Sequence, residues 1–406
     1  MIKVWTGAVE AGRLDRVGPR GSSFAYRPDL ADAAAVSLTM PVRLPSWDWA
    51  YGLAPIFEMN VPEGALRERL RLAFAKATGS FDDLDLLAVV GRSQVGRLRY
   101  TGQQEHLDQA VPFQSVDEIL AGRRDGDLFA YLLERFAALS GVSGVQPKVL
   151  VRDVGAHAGG GLARSGVRGA SHIVKFWEAD YPELAANEFF CLRAAERCGL
   201  DVPRFQLAED GRALVVDRFD LKPDGGYLGF EDFCVLNARS TAHKYRGTYE
   251  TSVLKRFRQF ASAEDAAAGS ERLFTLIVLN CALRNGDAHL KNFGVLYDDA
   301  EGSVRLAPVY DLVTTTAYIA ADGMALTLDG STRWPDARRL QQFGETRGVG
   351  GPATIRSVLE RVADALAETL AEMTAYVRQR PAFAEIAGRM RTAWAEGTAA
   401  SLRGGA

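Results

Sequence analysis

An α+β fold with two lobes is predicted from the order of elements along the chain: short strand-like runs crowd the first half and amphipathic helices the second. Two further observations support it. A strand, helix and strand group lies between residues 148 and 216, and a long helix with a single apolar face begins at Pro352. The 406 residues leave room for two or three domains at about 100–200 residues each.

In the first hundred residues, β-like runs at Ile2–Trp5, Ser22–Tyr26 and Ala35–Met40 alternate with turn residues. Helices are expected from Val61 to Ala77 and from Asp82 to Val90. The periodicity lapses over Thr101–Pro112, and a domain boundary is expected in this polar stretch, ahead of a helix at Leu128–Leu139. A glycine-rich turn, Gly141-Val142-Ser143-Gly144, leads into a strand at Lys148–Arg152. The Gly- and Ala-rich run Val154–Ser171 reads as a mobile hairpin loop before the strand His172–Trp177. A helix over Tyr181–Cys198 is expected, capped by Asp180 with Pro182 in its first turn and closed by Gly199. Strands near Arg204–Leu207 and Arg212–Val216 follow, then helices at Thr248–Phe260 and Glu271–Leu283. On the helix from Pro352, residues Ile355, Val358, Leu359, Val362 and Leu366 share one face.

Composition excludes several classes. With 48 Lys+Arg against 51 Asp+Glu the net charge is −3, so no global field draws nucleic acid or an anionic membrane to the surface. There is no helix-turn-helix signature and no basic stripe, and DNA contact is expected only through a partner. A hydrophobic content of 47% and a charged content of 24% exclude a disordered chain. The N-terminus lacks the apolar stretch of a signal peptide, and the run Leu273–Leu283 is shorter than the roughly 20 residues of a membrane span, so a cytoplasmic protein with no membrane partner is expected. Cys191, Cys198, Cys234 and Cys281 show no CxxC spacing and read as reduced core residues.

The chemistry concentrates in Asn285-Gly286-Asp287-Ala288-His289-Leu290-Lys291-Asn292-Phe293, followed by Ala307-Pro308-Val309-Tyr310-Asp311. Phosphoryl transfer from Mg-ATP needs a carboxylate at the acceptor hydroxyl, with an Asn and a second Asp whose hard oxygens hold magnesium. Asp287, Asn292 and Asp311 stand in that order and spacing. An Asn-Gly-Asp turn without function, or a hydrolytic metal site, would use some of the same residues. Upstream, Lys175 lies on an apolar strand and Glu188 lies thirteen residues on, the order in which kinases place a phosphate-binding lysine and the acid that orients it. Taken separately, the lysine could simply snorkel to water and the glutamate be solvated. Backbone N–H groups of the Gly141–Gly144 turn could face phosphates, and an ordinary hairpin is the alternative.

With these residues in hand the chain resembles the HipA-like serine/threonine kinases, the toxins of bacterial toxin–antitoxin pairs. The likeness rests on Leu38–Pro41, Pro55-Ile56-Phe57, Val61-Pro62-Glu63-Gly64-Ala65-Leu66-Arg67-Glu68-Arg69-Leu70 and Leu86–Gly91 in the front part. In the body it rests on Ser143-Gly144-Val145-Gln146-Pro147-Lys148, Ala186-Asn187-Glu188-Phe189-Phe190-Cys191, Gly199-Leu200-Asp201-Val202-Pro203, Val215-Val216-Asp217-Arg218-Phe219-Asp220 and Glu231-Asp232-Phe233-Cys234. GDAHLKN followed by LAPVYD completes it.

The resemblance implies a two-lobed protein-kinase-like fold. Residues 1–110 would form the family's N-terminal α+β domain, 125–220 a first kinase lobe with the phosphate loop, and 221–406 a largely helical lobe with the catalytic and metal-binding loops. It implies Asp287 as catalytic base, Asn292 and Asp311 as magnesium ligands, Lys175 as the phosphate-binding lysine and Glu188 as the acid that orients it. ATP would be contacted by Ser143, Gly144, Val145, Gln146, Pro147 and Lys148. Asp217, Arg218 and Phe219 would form the hinge, with backbone hydrogen bonds to adenine and Phe219 packing on it, and His289, Lys291, Asn292, Tyr310 and Asp311 would complete the site. Three positions depart from the family pattern: Asp217 replaces a glutamate, Pro147 removes an N–H from the loop, and Gly141 stands where relatives carry a regulatory serine. Ser143 and Ser140 are left as autophosphorylation candidates. The resemblance further implies a HipB-like DNA-binding antitoxin as partner, a translation component such as glutamyl-tRNA synthetase as substrate, and growth arrest as outcome. A small-molecule kinase of the aminoglycoside or choline kinase type, and a non-catalytic scaffold of a repressor complex, are the competing readings.

Overall fold

Three antiparallel-dominated sheets and a helical half make up the described residues of the chain in a computed structural model. It describes all residues except 79–80, 106, 108–110, 123–127, 143–145, 147, 154–169, 178 and 404–406, and leaves undescribed the side chains of 65 and 75–78. The first sheet joins β1 (Ile2–Thr6), β2 (Val9–Val17), β3 (Gly21–Tyr26), β4 (Trp47–Trp49) and β5 (Leu98–Gly102) in the order β4-β3-β2-β1-β5. In β1 the alternation expected of a half-buried strand is met, with Ile2, Val4 and Thr6 inward. Gly12 on β2 permits the close approach of β3, since a Cβ there would lie 2.2 Å from the Ala25 carbonyl oxygen. The helix Asp83–Val90 starts at a capping box between Asp82 and Asp85 and buries Leu84, Leu86, Leu87 and Val90.

The segment Ala35–Met40, expected as a β-like run, is not a strand. A 3-10 turn at Asp32–Ala34 precedes it, and among the described residues it makes a single bridge, Ser37 with Met40. Side chains, not a neighbouring strand, take its polar groups: the Val36 N–H donates to the Tyr26 hydroxyl (3.0 Å), and the Leu38 N–H and Ser37 hydroxyl donate to Glu231 (2.7 and 2.9 Å).

The second sheet comprises β6 (Phe113–Gln114), β7 (Lys148–Asp153), β8 (His172–Phe176), β9 (Phe205–Leu207) and β10 (Ala213–Asp217), ordered β6-β7-β8-β10-β9. Lys148 on β7 stands opposite Lys175 on β8. The hairpin loop expected at 154–171 lies outside the described residues over 154–169. The helix behind the sheet runs Leu184–Arg197, later than expected, and Asp180 does not cap it. Glu183 occupies the cap position in a left-handed conformation (φ 60°), with its carboxylate held by Arg380 at 2.9 Å. A tertiary ion pair thus outweighs the local cap signal.

The third sheet, β11 (Gly229–Asp232), β12 (Gly294–Tyr297) and β13 (Val304–Leu306), carries the segment between the two halves. Helices Ala266–Leu283, Ala337–Thr346, Pro352–Gln379 and Ala384–Gly397 then dominate. The expected Thr248–Phe260 helix forms as a π-helical turn, Tyr249–Lys255, followed by α-helix Arg256–Phe260. Ala266–Leu283 is long and apolar enough to cross a membrane, but it is a core helix, with Leu273 through Leu283 buried. One apolar core surrounds it, reaching Trp394 and the expected face of the Pro352–Gln379 helix. A second core runs unbroken from the first sheet through Phe136 and Leu139 to β7, β8 and β10. All four cysteines are buried and unpaired with one another.

Candidate active site

The Ala266–Leu283 helix ends at Arg284, whose left-handed backbone (φ 57°) turns the chain toward the cleft. From there side chains fix each residue of the loop. Asn285 donates to Asn280 (2.6 Å) and accepts the Asp287 N–H (3.1 Å). The Gly286 N–H donates to the Thr315 hydroxyl (2.7 Å), which in turn donates to Asp322. A Cβ at 286 would lie 2.0 Å from Asp322 Oδ2, so glycine is required for Asp322 to sit where it does. The Asn-Gly-Asp run is therefore a socket built by three elements, more than a bare turn.

Asp287 keeps 48% of its side chain exposed and accepts a hydrogen bond from the Tyr245 hydroxyl on Oδ1 (2.6 Å). Enclosure by protein raises its pKa above the ordinary carboxylate range; Tyr245 and Lys244 pull against that rise, and Asp311 and Asp322 add to it. His289 is buried, and burial together with Lys244 and Lys291 brings its pKa down to about 3, so the imidazole is neutral. Its Nδ1 has no hydrogen-bond partner among the described residues. Asn292 Oδ1 accepts the His289 N–H (3.2 Å), while its Nδ2 donates to the Asp311 carbonyl (3.3 Å). The two expected metal-holding segments are thus joined directly.

Asp311 has a left-handed backbone (φ 51°), a costly conformation for a non-glycine residue that its contacts maintain. Its Oδ1 is bound by Lys175, and Lys148 lies 3.6 Å from Oδ2. Burial opposes its charge, but the two lysines outweigh it and hold the carboxyl well below its ordinary range. Lys175 also pairs with Glu188. Burial would lower the ammonium, and Asp311 and Glu188 more than compensate, keeping it charged. Glu188 is wholly buried; desolvation raises it, Lys175 draws it back, and its Oε2 has no partner among the described residues. The cleft floor holds two lysines and two carboxylates in balance.

The other expected residues among those described are held by the following contacts. The Arg218 guanidinium faces inward, paired with Asp220 (2.6 Å) and donating to the Gln94 and Ala170 carbonyls. The N–H groups of Asp217 and Arg218 already donate to the Arg204 and Ser171 carbonyls (2.8 and 3.0 Å), so neither is free to donate at the expected hinge. Phe219 stacks on Tyr310 (centroids 5.7 Å apart, 25° between planes) beside Leu228, Leu296 and Ala307, an apolar plate at the cleft edge. Tyr310 donates its hydroxyl to the Lys291 carbonyl (2.9 Å). The Lys291 ammonium pairs with Glu63, 228 residues earlier in the chain. Gln146 donates to the Phe176 carbonyl (3.3 Å). Ser143, Gly144, Val145 and Pro147 lie outside the described residues. Ser140 is buried, donating to the Phe136 carbonyl and accepting the Leu150 N–H. Any side chain at Gly141 would have to displace Gln94, which a Cβ would meet at 2.2 Å. Tyr245, Lys244, Glu63 and Asp322 were not expected at the site. None carries a motif, and only Glu63 fell within a segment singled out for resemblance.

Residues 140–373 match the family model described as HipA-like C-terminal domain, and residues 2–101 match HipA N-terminal domain. The chain is 28% identical over 398 residues to Y4mE of Sinorhizobium fredii, named as a kinase; the match covers 92% of this chain and 91% of that protein. It is 26% identical over 252 residues to the serine/threonine-protein kinase toxin HipA of Shewanella oneidensis, a match that spans 57% of each. Its fold is that of HipA in a solved Shewanella oneidensis complex of HipA, HipB and operator DNA: TM-score 0.67 at 20% identity, over 98% of this chain and 96% of that one.

Proposed function

The chain belongs to the HipA-like kinase family, and from that premise we propose that it transfers the γ-phosphate of ATP to a serine or threonine hydroxyl of a protein. The observation that carries this reading is the convergence of Lys175, Glu188, Asn292 and Asp311 on one cleft floor, with Asp287 at its rim.

In this mechanism the half-exposed carboxylate of Asp287 accepts the proton of the acceptor hydroxyl as that oxygen bonds to the γ-phosphorus and ADP leaves. Lys175, kept charged by two acids, meets the α- and β-phosphates. Phe219 and Tyr310 offer an aromatic face to the adenine. The donor set fits magnesium, which favours a few hard oxygens and keeps some water: the Asn292 amide oxygen and the Asp311 carboxylate would hold it. Magnesium would there neutralise phosphate charge as it develops in transfer. Lys148 and Lys175 now occupy the Asp311 carboxylate, so binding requires them to turn toward phosphates instead.

The partner we propose is a HipB-like DNA-binding antitoxin, since the structural relative was solved with HipB and operator DNA. A net charge of −3 suits a protein that reaches DNA only through such a partner. The acceptor is proposed to be a translation component such as glutamyl-tRNA synthetase, the location cytoplasmic and the consequence growth arrest. Autophosphorylation near the phosphate loop belongs to the same proposal; at Ser140 it would demand local opening, because both hydroxyl contacts are internal.

The test is transfer of label from a γ-labelled ATP analogue to proteins of a cytoplasmic extract. Asp287→Asn is expected to lose about 10²–10⁴ in rate with nucleotide affinity retained, and Asp311→Asn to weaken magnesium-dependent nucleotide binding itself. Full activity in Asp287→Asn would overturn the assignment of the base.

A further inference from the structure

We infer that Tyr245 is the positioning residue for the base Asp287, and that Glu58 and Glu63 hold it in place; this rests on the phosphotransferase reading above. The Tyr245 hydroxyl donates to Asp287 Oδ1 at 2.6 Å, and its ring meets the His289 ring edge-on at 5.0 Å. His289 Nε2 approaches the same oxygen at 3.9 Å. Oδ1 therefore already accepts one hydrogen bond, which favours Oδ2 as the oxygen that receives the acceptor proton. A carboxylate on a loop can otherwise rotate about χ2, which broadens the positions of the accepting oxygen. The Tyr245 hydroxyl restrains that rotation, and the edge-on contact with His289 holds the tyrosine ring in turn.

The tyrosine is itself fixed from two sides. The Lys244 carbonyl accepts the Leu290 N–H (3.1 Å), fastening the 244–245 backbone to the catalytic loop. Glu58 accepts the Thr241 N–H (2.9 Å), and the Lys244 ammonium lies 3.8 Å from Glu63. Glu58 and Glu63 both lie ahead of the helix Asp83–Val90, and Glu63 also pairs with Lys291 in the loop. A physical chain thus runs from residues 58–63 through 241–245 to the base. The charged and titratable groups facing Asp287 are Lys244 and Tyr245 from this segment, His289 from its own loop, and Asp311 and Asp322 beyond it. Among the described residues that favour its ionised form, Tyr245 is the one in hydrogen-bond contact. Its own phenol is pushed up by burial and by Asp287, so it remains a donor at any working pH.

The experiment compares the chain with its Tyr245→Phe variant, a change that removes only the hydroxyl from a half-exposed residue. The first readout needs no activity: the carboxyl carbon of Asp287, identified by its loss in Asp287→Asn, is titrated by carbon-13 NMR. Its titration is expected at higher pH in Tyr245→Phe than in the wild type, and an unmoved titration overturns the inference. The second is single-turnover transfer. The rate is expected to fall on the order of tenfold or more, as for loss of a hydrogen bond to a charged group, with nucleotide affinity within about twofold and the acid limb of the rate profile moved upward. An undiminished rate overturns it too. A wild type that transfers no phosphate would defeat the kinase reading alone, since the carboxyl titration still decides the role of Tyr245.

Discussion

Replacing Lys175 by Met is expected to destabilise the chain by about 3 kcal/mol at pH 7, and the loss should shrink on acidification. Methionine is an unbranched, adaptable side chain that can fill the space of the lysine stem, so the change removes the charge more than the packing. Lys175 is 4% exposed and Glu188 wholly buried, with one glutamate oxygen already lacking a partner among the described residues. Breaking a buried pair from one side costs about 3–5 kcal/mol when the stranded charge must stay. Glu188 has an escape, because it can take up a proton. From an unfolded pKa of about 4.3, protonation at pH 7 costs about 3.7 kcal/mol, which caps the penalty. Asp311 retains Lys148 and adds less. A carboxyl whose folded pKa lies above its unfolded one loses stability as pH rises between the two values, so the penalty is least near pH 4 and only about 1 kcal/mol at pH 5. Urea unfolding at pH 7 and pH 5 of the wild type, Lys175→Met and the double variant Lys175→Met/Glu188→Gln measures all three terms. The double variant should recover most of the loss at pH 7. A single variant within 0.5 kcal/mol (about the reproducibility of such differences) of the wild type, or one equally weakened at both pH values, would refute the reasoning.

Glu231 offers a second pH test away from the cleft. Burial raises its carboxyl to about 7 although Tyr297, Leu38 and Ser37 all donate to it. Its stabilising contribution is complete below the unfolded value of about 4.3 and is lost as pH rises through 7, so Glu231→Gln should gain about 2–3 kcal/mol relative to the wild type between pH 5 and pH 8; parallel stability curves would contradict this. Gly397→Ala should cost about 1–3 kcal/mol by overpacking, because its Cβ would lie 2.0 Å from the Ala282 carbonyl oxygen of the facing helix. Unchanged urea midpoints would show that the two helices can part without cost.

The first hundred residues are tied to the catalytic half by side-chain contacts. Glu58, Glu63 and the Ser37–Leu38 segment all contact residues of the second half, at Thr241, Lys291 and Glu231. The buried pair Arg218–Asp220 adds another link through Gln94 and Gly96. Charged and polar contacts of this kind specify one arrangement of the parts more than they add stability.

Local pattern sufficed for much of the molecule. Period-two alternation marked Ile2–Trp5, which forms β1 with one further residue, and period-3.6 spacing placed Ile355, Val358, Leu359, Val362 and Leu366 on the buried face of the Pro352–Gln379 helix. Residue type and order sufficed to nominate Lys175, Glu188, Asp287, Asn292 and Asp311, because magnesium and phosphate chemistry demands those groups at those spacings. Where a backbone group found its partner far away, pattern failed. Ala35–Met40 has the composition of a strand, but its donors turn to Tyr26 and Glu231, and Asp180 has the character of a cap, but Arg380 holds Glu183 in that place. The same limit hid Tyr245, 42 residues from Asp287, and Glu63, 228 residues from Lys291. A sequence encodes what each residue can do and how near neighbours face one another. Which distant carboxylate meets which lysine is decided only when sheets and helices pack, since that contact is a property of the shared surface and of neither segment alone.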